Sequence, residues 1–313
     1  MPKVGKIHSG QFNAEIERAV SMFVGEKWAI DEIIGNTASA MHAAATFKGR
    51  GYSAFVKEGT KVFSHDQFTQ EAKGLWHIAE NSDVKTPDVI DVLNIDGTTL
   101  LVMEAIDAKP VEAKVDYEIL AQGMAQLHKV TRDMYGFESD NYMGTLAQIN
   151  TPKSDWLDFF ANVRIRESFN TLAAREHIGK TEAARLLERL EQLFFKLPQI
   201  IGTNNARPSL MHGDAWLNNM LFDGKQLVLI APSVYYGERE MDISTWGLTK
   251  YFEKGCKQEY FMDAYNEIYP FELGYTEREE LWRLNQYLCF MTYGGKFHGL
   301  GTDLVAQTLD KYL

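Results

Sequence analysis

From Ser209 to Ile230 this chain carries a strand-rich island, set between stretches whose apolar spacing is helical. At its head lies the loop His212-Gly213-Asp214-Ala215-Trp216-Leu217-Asn218-Asn219. At its far end an Asp223-Gly224 turn leads into Leu227-Val228-Leu229-Ile230. Short strands are not stable by themselves and need a partner surface to bury their apolar faces. The island therefore demands a mixed architecture, and its loop sets an aspartate and an asparagine five residues apart on a scaffolded backbone. Twelve residues beyond Asn219, where the apolar run ends, stands Ala231.

Upstream of the island, helix and strand alternate. Residues Asn13 to Val24 place Ala14, Ile16, Ala19, Val20 and Phe23 at helical spacing. The runs Ala43-Ala44-Ala45-Thr46-Phe47 and Ser53-Ala54-Phe55-Val56-Lys57, separated by Gly49-Arg50-Gly51, read as a hairpin. A helix is expected from about His65 to Glu80, a strand near Pro87, and another at Leu100-Leu101-Val102-Met103-Glu104. After Lys109-Pro110 the pattern turns helical, beginning with Tyr117 to Arg132. The expected fold class is α+β. A small N-terminal lobe with an antiparallel sheet, residues 1–106, joins near residues 104–108 to a mainly helical C-terminal lobe, residues 107–313.

Bulk properties narrow the function classes. The 313 residues carry a net charge of -11, which argues against a nucleic-acid partner, since phosphate contacts need a basic face. No run approaches the roughly 18 consecutive apolar residues of a membrane span. The start Met1-Pro2-Lys3-Val4-Gly5 has no apolar signal core, so a cytoplasmic protein without a membrane role is expected. Two cysteines, Cys256 and Cys289, make neither a disulfide framework nor a zinc site and read as free thiols.

The loop's polar residues match a specific chemistry. Enzymatic phosphoryl transfer uses an Asp that orients the accepting hydroxyl, an Asn five residues on that holds Mg²⁺, and a second Asp closing the next short strand. Asp214 and Asn219 have that spacing, and Ala231 occupies the third place. A hard cation takes oxygen ligands, so a methyl group is no substitute. The order of elements is that of a protein-kinase-like bilobal fold, with Asp214, Asn219 and Lys57 expected to face one cleft. Lys57, ending an apolar strand, is expected at the ATP phosphates, with Glu71 the best-placed carboxylate to fix it; Glu58 and Glu80 lie in the same region. Taken alone, a lysine at a strand end reads as a solvated charge. The connector Met103-Glu104-Ala105-Ile106 is expected to offer backbone groups to the adenine edge. The phosphate loop is expected at Gly35 to Ala44, where one glycine in ten residues is sparse and small side chains keep the path narrow.

A narrower signal is His212-Gly213-Asp214-x-Trp216-x-x-Asn219 followed by Pro232-Ser233-Val234-Tyr235-Tyr236-Gly237-Glu238-Arg239-Glu240-Met241-Asp242. The pair resembles the fructosamine kinase (ketosamine-3-kinase) family, whose usual pattern is H-G-D-L-W-x-G-N and then I-D-P-A-x-Y-Y-G-x-R-E-x-D. The stretch Gly136 to Gly144 with Gln148, Asn150, Asp155-Trp156 and Phe159-Phe160 is similar to the same family, as are Phe55-Val56-Lys57 and Glu71-Ala72-x-Gly74-Leu75. The resemblance covers roughly residues 10 to 300. It implies a phosphotransferase using ATP and Mg²⁺ on the sugar 3-hydroxyl of a small ketosamine or glycated amine. It also implies Asp214 as proton acceptor, Lys57 as phosphate ligand, Asn219 as metal ligand and Trp216 against the sugar-amine. For Trp216 a core position behind the loop is the competing reading. Asp242 is expected to brace the loop or cap a helix, and His212 to serve structure.

The departures from that pattern are Ala231 for the family aspartate, Asn218 for a glycine, and a phosphate loop without paired glycines. Asp223, about 13 Å away along a four-residue strand, is too far to replace the lost acid. Two functions stay open at this point: a ketosamine kinase impaired at residue 231, or a pseudokinase that binds nucleotide or ketosamine without transfer.

Overall fold

The helical spacing of residues 13–24 is realised as α1 (Asn13–Val24), which buries Ile16, Ala19 and Val20 and ends at Gly25, left-handed at φ 77°. The computed structural model describes residues 6–36, 42–202, 207–252 and 255–313. They form two units: residues 1–111 with 220–232, and residues 112–219 with 233–313.

In the first unit α1 is followed by β1 (Ile30–Asn36), β2 (Ala43–Gly49), β3 (Tyr52–Gly59), α2 (Ser64–Asn81), β4 (Val89–Ile95) and β5 (Thr98–Glu104). The sheet order is β1-β2-β3-β5-β4, antiparallel throughout. Successive side chains of a strand point to opposite faces. Val56 and Val102 therefore join Ile16, Val20 and Phe47 on the α1 face. Phe55, Leu101 and Met103 meet Phe68, Ala72 and Leu75 of α2 on the other. Lys57, two residues after Phe55, shares the α2 face. Strand β1 has no counterpart in the sequence-based expectation. Among the described residues it is an edge strand that pairs with β2 alone, and it carries exposed Asp31 and Glu32, so its apolar alternation is weak.

The second unit contains α3 (Lys114–His128), the hairpin β6 (Asn141–Met143) and β7 (Leu146–Gln148), and α4 (Trp156–Asp158), which runs through a π-helical stretch, Phe159–Ile165, into α5 (Arg166–Ala174). Then come α6 (Lys180–Ile201) and β8 (Ser209–Met211). The hairpin β9 (Met220–Phe222) and β10 (Leu227–Leu229) belongs to the first unit. The chain returns with β11 (Tyr235–Gly237), α7 (Glu240–Trp246), α8 (Gln258–Ile268), α9 (Tyr275–Trp282), α10 (Leu284–Tyr293) and α11 (Gly295–Tyr312). Helix α3 stops at His128 rather than at Arg132, because Val130 to Arg132 pair with the β8 segment instead. Arg132 N–H donates to the Pro208 carbonyl and Leu210 N–H to that of Val130. The α+β architecture expected from the sequence is the one observed. Neither Cys256 nor Cys289 is in a disulfide among the described residues. No helix among the described residues is long and apolar enough to cross a membrane.

The β2–β3 hairpin that delivers Lys57 depends on a close approach at Gly49, where an added Cβ would lie 2.3 Å from the Ala29 carbonyl oxygen and 2.5 Å from the Trp28 ring. Gly49→Ala is expected to destabilise the fold by about 1–3 kcal/mol through this overpacking, read as a lowered midpoint in denaturant unfolding.

Candidate active site

Strand β8 ends at Met211, and the loop after it is held by Ser233 on one side and Asp242 on the other. Ser233 N–H donates to the His212 carbonyl at 2.8 Å. Gly213 sits at φ 84°, and a Cβ there would fall 2.1 Å from the Ser233 carbonyl oxygen, so only glycine fits. Asp242, in the first turn of α7, accepts the amides of His212 at 2.6 Å and Gly213 at 3.0 Å. This is the brace expected of Asp242. Behind it lies fully buried His128, with Nε2 3.3 Å from Asp242 and Nδ1 2.7 Å from the Tyr265 hydroxyl. Burial lowers the His128 pKa, opposed by its hydrogen bond to Asp242.

The residues between Gly136 and Phe160 that resemble the family serve this loop at one remove. Gln148 donates to the Ser233 carbonyl at 3.0 Å and to Asn141 Oδ1 at 2.9 Å, and Asn141 donates to the Val234 carbonyl at 2.7 Å. They fix the segment against which Gly213 packs. Buried Arg164 donates to Asn150 and stacks over the Tyr235 ring at 3.9 Å.

On this backbone Asp214 and Asn219 come together. The Asp214 N–H donates to His212 Nδ1 at 3.2 Å. The Asn219 amide, carried by the 3-10 turn Leu217–Asn219, donates at 2.9 Å to both the carboxylate and the carbonyl of Asp214. Desolvation pushes the Asp214 carboxyl up to about 6; the Asn219 hydrogen bond pulls it down, and the Asp242 charge adds to the rise. Trp216 is half-buried two residues on, its ring edge-on to Phe252 at 5.8 Å.

In the first unit Lys57 Nζ lies 2.5 Å from Glu71 Oε1, both side chains nearly buried at 11% and 12% exposure. Of the three carboxylates in the region, Glu71 holds the lysine; Glu58 instead accepts the amides of Lys6 and Ile7. Burial lowers the pKa of His42, with Lys57 adding to the fall, and its ring stands edge-on to Phe68 at 5.0 Å. In the connector, Met103 is paired within the sheet, Glu104 N–H donates to the Asp88 carbonyl and Ala105 N–H to that of Ser53. Ile106 N–H has no backbone acceptor among the described residues. Residues 37–41 of the expected phosphate loop, Gly35 to Ala44, lie outside the described residues, with Gly35 and Asn36 in β1 and Ala43 and Ala44 in β2.

Ala231 follows β10 and has a positive φ of 51°. Left-handed backbone suits glycine, asparagine and aspartate, whose short polar groups bond locally, and costs alanine about 1 kcal/mol. Among the described residues no three His, Cys, Asp or Glu side chains converge as a metal site. His128 and Tyr265 are the site-supporting residues that sequence reasoning missed. A single histidine at a helix end and a tyrosine 137 residues later leave no local pattern.

The family model for fructosamine kinase matches residues 12–311. An Enterococcus faecium protein named "Probable ketoamine kinase" is 31% identical over 241 residues, covering 77% of this chain and 82% of that one. The crystal structure of a Haemophilus somnus protein, named as a candidate fructosamine-3-kinase, matches with a TM-score of 0.79 at 26% identity, covering 94% of this chain and 96% of that one. A thermostable mutant of an aminoglycoside phosphotransferase shares the fold at 14% identity, with a TM-score of 0.59 and coverage of 94% and 96%. The fold is protein-kinase-like.

Two stability effects follow from this geometry. Asp214 has a folded pKa of about 6 against an ordinary aspartate value of 3.8, so the native state binds the extra proton. Its favourable contribution is full below about pH 4 and is lost as pH rises through 6. Asp214→Asn should therefore stabilise the chain by on the order of 2 kcal/mol at pH 8 and have almost no effect at pH 4, measured by paired urea titrations. Ala231→Gly should stabilise by about 1 kcal/mol at either pH by relieving the positive φ.

Proposed function

Because this chain belongs to the fructosamine kinase family, we propose that it binds ATP and a small ketosamine, and that its machinery for phosphorylating the sugar 3-hydroxyl is impaired at residue 231. The observation that carries this reading is Asp214 held by Asn219 at 2.9 Å, in a setting that lifts its carboxyl to about 6. Such a group is mostly ionised at neutral pH, yet it accepts a proton more readily than an ordinary aspartate. Asp214 would orient the sugar hydroxyl and take its proton as the oxygen attacks the γ-phosphorus of ATP, with ADP leaving. Lys57, fixed by Glu71, would hold the phosphate oxygens, and the Ile106 N–H would meet the adenine edge. Trp216 would pack an aromatic face against the C–H face of the sugar.

A divalent cation, Mg²⁺ in the usual case, is the group such a fold implies, and the donors present do not fit it. Asn219 offers one amide oxygen, Ala231 offers none, and no acidic cluster converges among the described residues. Loss of one preorganised charge-stabilising group costs about 10²–10³-fold in rate. That same observation favours a second reading, a pseudokinase that binds nucleotide or ketosamine without transfer. The backbone at Ala231 supports the first: its left-handed φ is one that aspartate accepts more readily than alanine.

Ala231→Asp separates the two. It should raise ATP-dependent phosphorylation of a model ketosamine by about 10²-fold or more, equivalent to roughly 3 kcal/mol of transition-state stabilisation. The kcat/KM of the variant should rise with pH through an apparent pKa of about 6, as Asp214 loses its proton. Adding Asp214→Ala should abolish the gain. In calorimetry, Mg²⁺ should tighten ATP binding to Ala231→Asp more than to the parent chain. If the folded variant binds ATP but shows no gain in turnover, the pseudokinase reading stands.

A further inference from the structure

Four aromatic side chains from four separate elements meet in the second unit, one of them two residues after Asp214. Trp216 belongs to the loop itself. Phe252 follows the 3-10 helix Gly247–Tyr251, Phe290 lies in α10 and Phe297 in α11. Phe252 is the hub, with ring centroids 5.8 Å from Trp216, 5.8 Å from Phe290 and 6.0 Å from Phe297; Phe290 and Phe297 stack at 6.0 Å. All four rings are half-buried, and none belongs to the described buried core clusters. The row is tied to the catalytic loop by the backbone as well. Leu217 N–H donates to Thr249 Oγ1 at 3.4 Å, and Phe252 N–H donates to the Thr249 carbonyl at 3.0 Å.

We propose that Trp216, Phe252, Phe290 and Phe297 form an apolar subsite for the substituent on the amine nitrogen, so that the chain selects ketosamines whose amine carries an aromatic or long aliphatic arm. The assignment rests on the ketosamine reading above. A sugar hydroxyl at Asp214 and a sugar face on Trp216 leave the amine end of the substrate to continue along the aromatic row. Aromatic faces there cover an apolar arm and attract the secondary ammonium at its root. A cluster that only joined α10 to α11 would have no need to continue through Phe252 to the loop.

Calorimetry on the full chain tests the subsite without requiring turnover. The probes are the fructosyl adducts of glycine and of benzylamine, each titrated into the parent chain, Phe252→Ala and Phe290→Ala. The benzylamine adduct should bind the parent about 10-fold or more tightly than the glycine adduct, the range expected for one apolar group entering a pocket. Both substitutions should reduce that preference to about 2-fold, weakening the benzylamine adduct more than the glycine adduct. Phe252→Leu and Phe290→Leu, which keep apolar bulk, provide folded versions should the alanine variants unfold. Equal affinities for the two adducts in the parent, or a preference that survives both substitutions, overturn the subsite alone. Binding of neither adduct overturns the ketosamine reading and the subsite with it.

Discussion

The second unit is organised around one carboxylate. Asp242 accepts two consecutive backbone amides from the loop that presents Asp214. Charge-assisted bonds of this kind are roughly twice as strong as neutral ones. His128 and the Tyr265 hydroxyl back the carboxylate from α3 and α8, so three helices converge on a turn of three residues. A buried carboxylate without such partners would be prohibitive, and the amides that satisfy it are also those that give the loop its shape. The same residues thus answer the electrostatic problem and set the geometry of Asp214.

Lys57 and Glu71 play the corresponding part in the first unit. Their ion pair is almost dry, and removing either partner would strand the other charge at a cost of about 3–5 kcal/mol. Strand alternation puts Lys57 on the α2 face, and helical position puts Glu71 opposite it. By contrast, Ala231 has a backbone that asks for more than its side chain supplies. Its φ of 51° lies under a methyl group that gains nothing from it.

Much of this was legible in the sequence, for identifiable reasons. Helices α1 and α2 repeat apolar residues at helical spacing, and their observed limits lie close to those the pattern predicts. The Asp214–Asn219 spacing is short-range and survives in the residue order. Strand β1 was hidden by Asp31 and Glu32, because an edge strand need not alternate cleanly. The end of α3 was misjudged because what stops it, the pairing of Val130 to Arg132 with residues 208–210, lies far away along the chain. The occupied amides of Glu104 and Ala105 were equally invisible, since backbone partners leave no mark on side-chain identity. His128 and Tyr265 belong with them: long-range polar pairs carry no period and no motif.

The β9–β10 hairpin has a further bearing on how the chain can be divided. Its residues 220–232 complete the first unit, where Lys109 N–H donates to the Phe222 carbonyl and Leu229 N–H to the Lys85 carbonyl. In sequence, however, it is an excursion between two segments of the second. No single cut therefore releases either unit whole. A fragment ending at Val111 would leave the Lys109 amide and the Lys85 carbonyl without their partners, and a fragment beginning at Glu112 would carry a hairpin with nothing to pair against. The two units are distinct as packed bodies but inseparable as lengths of polypeptide.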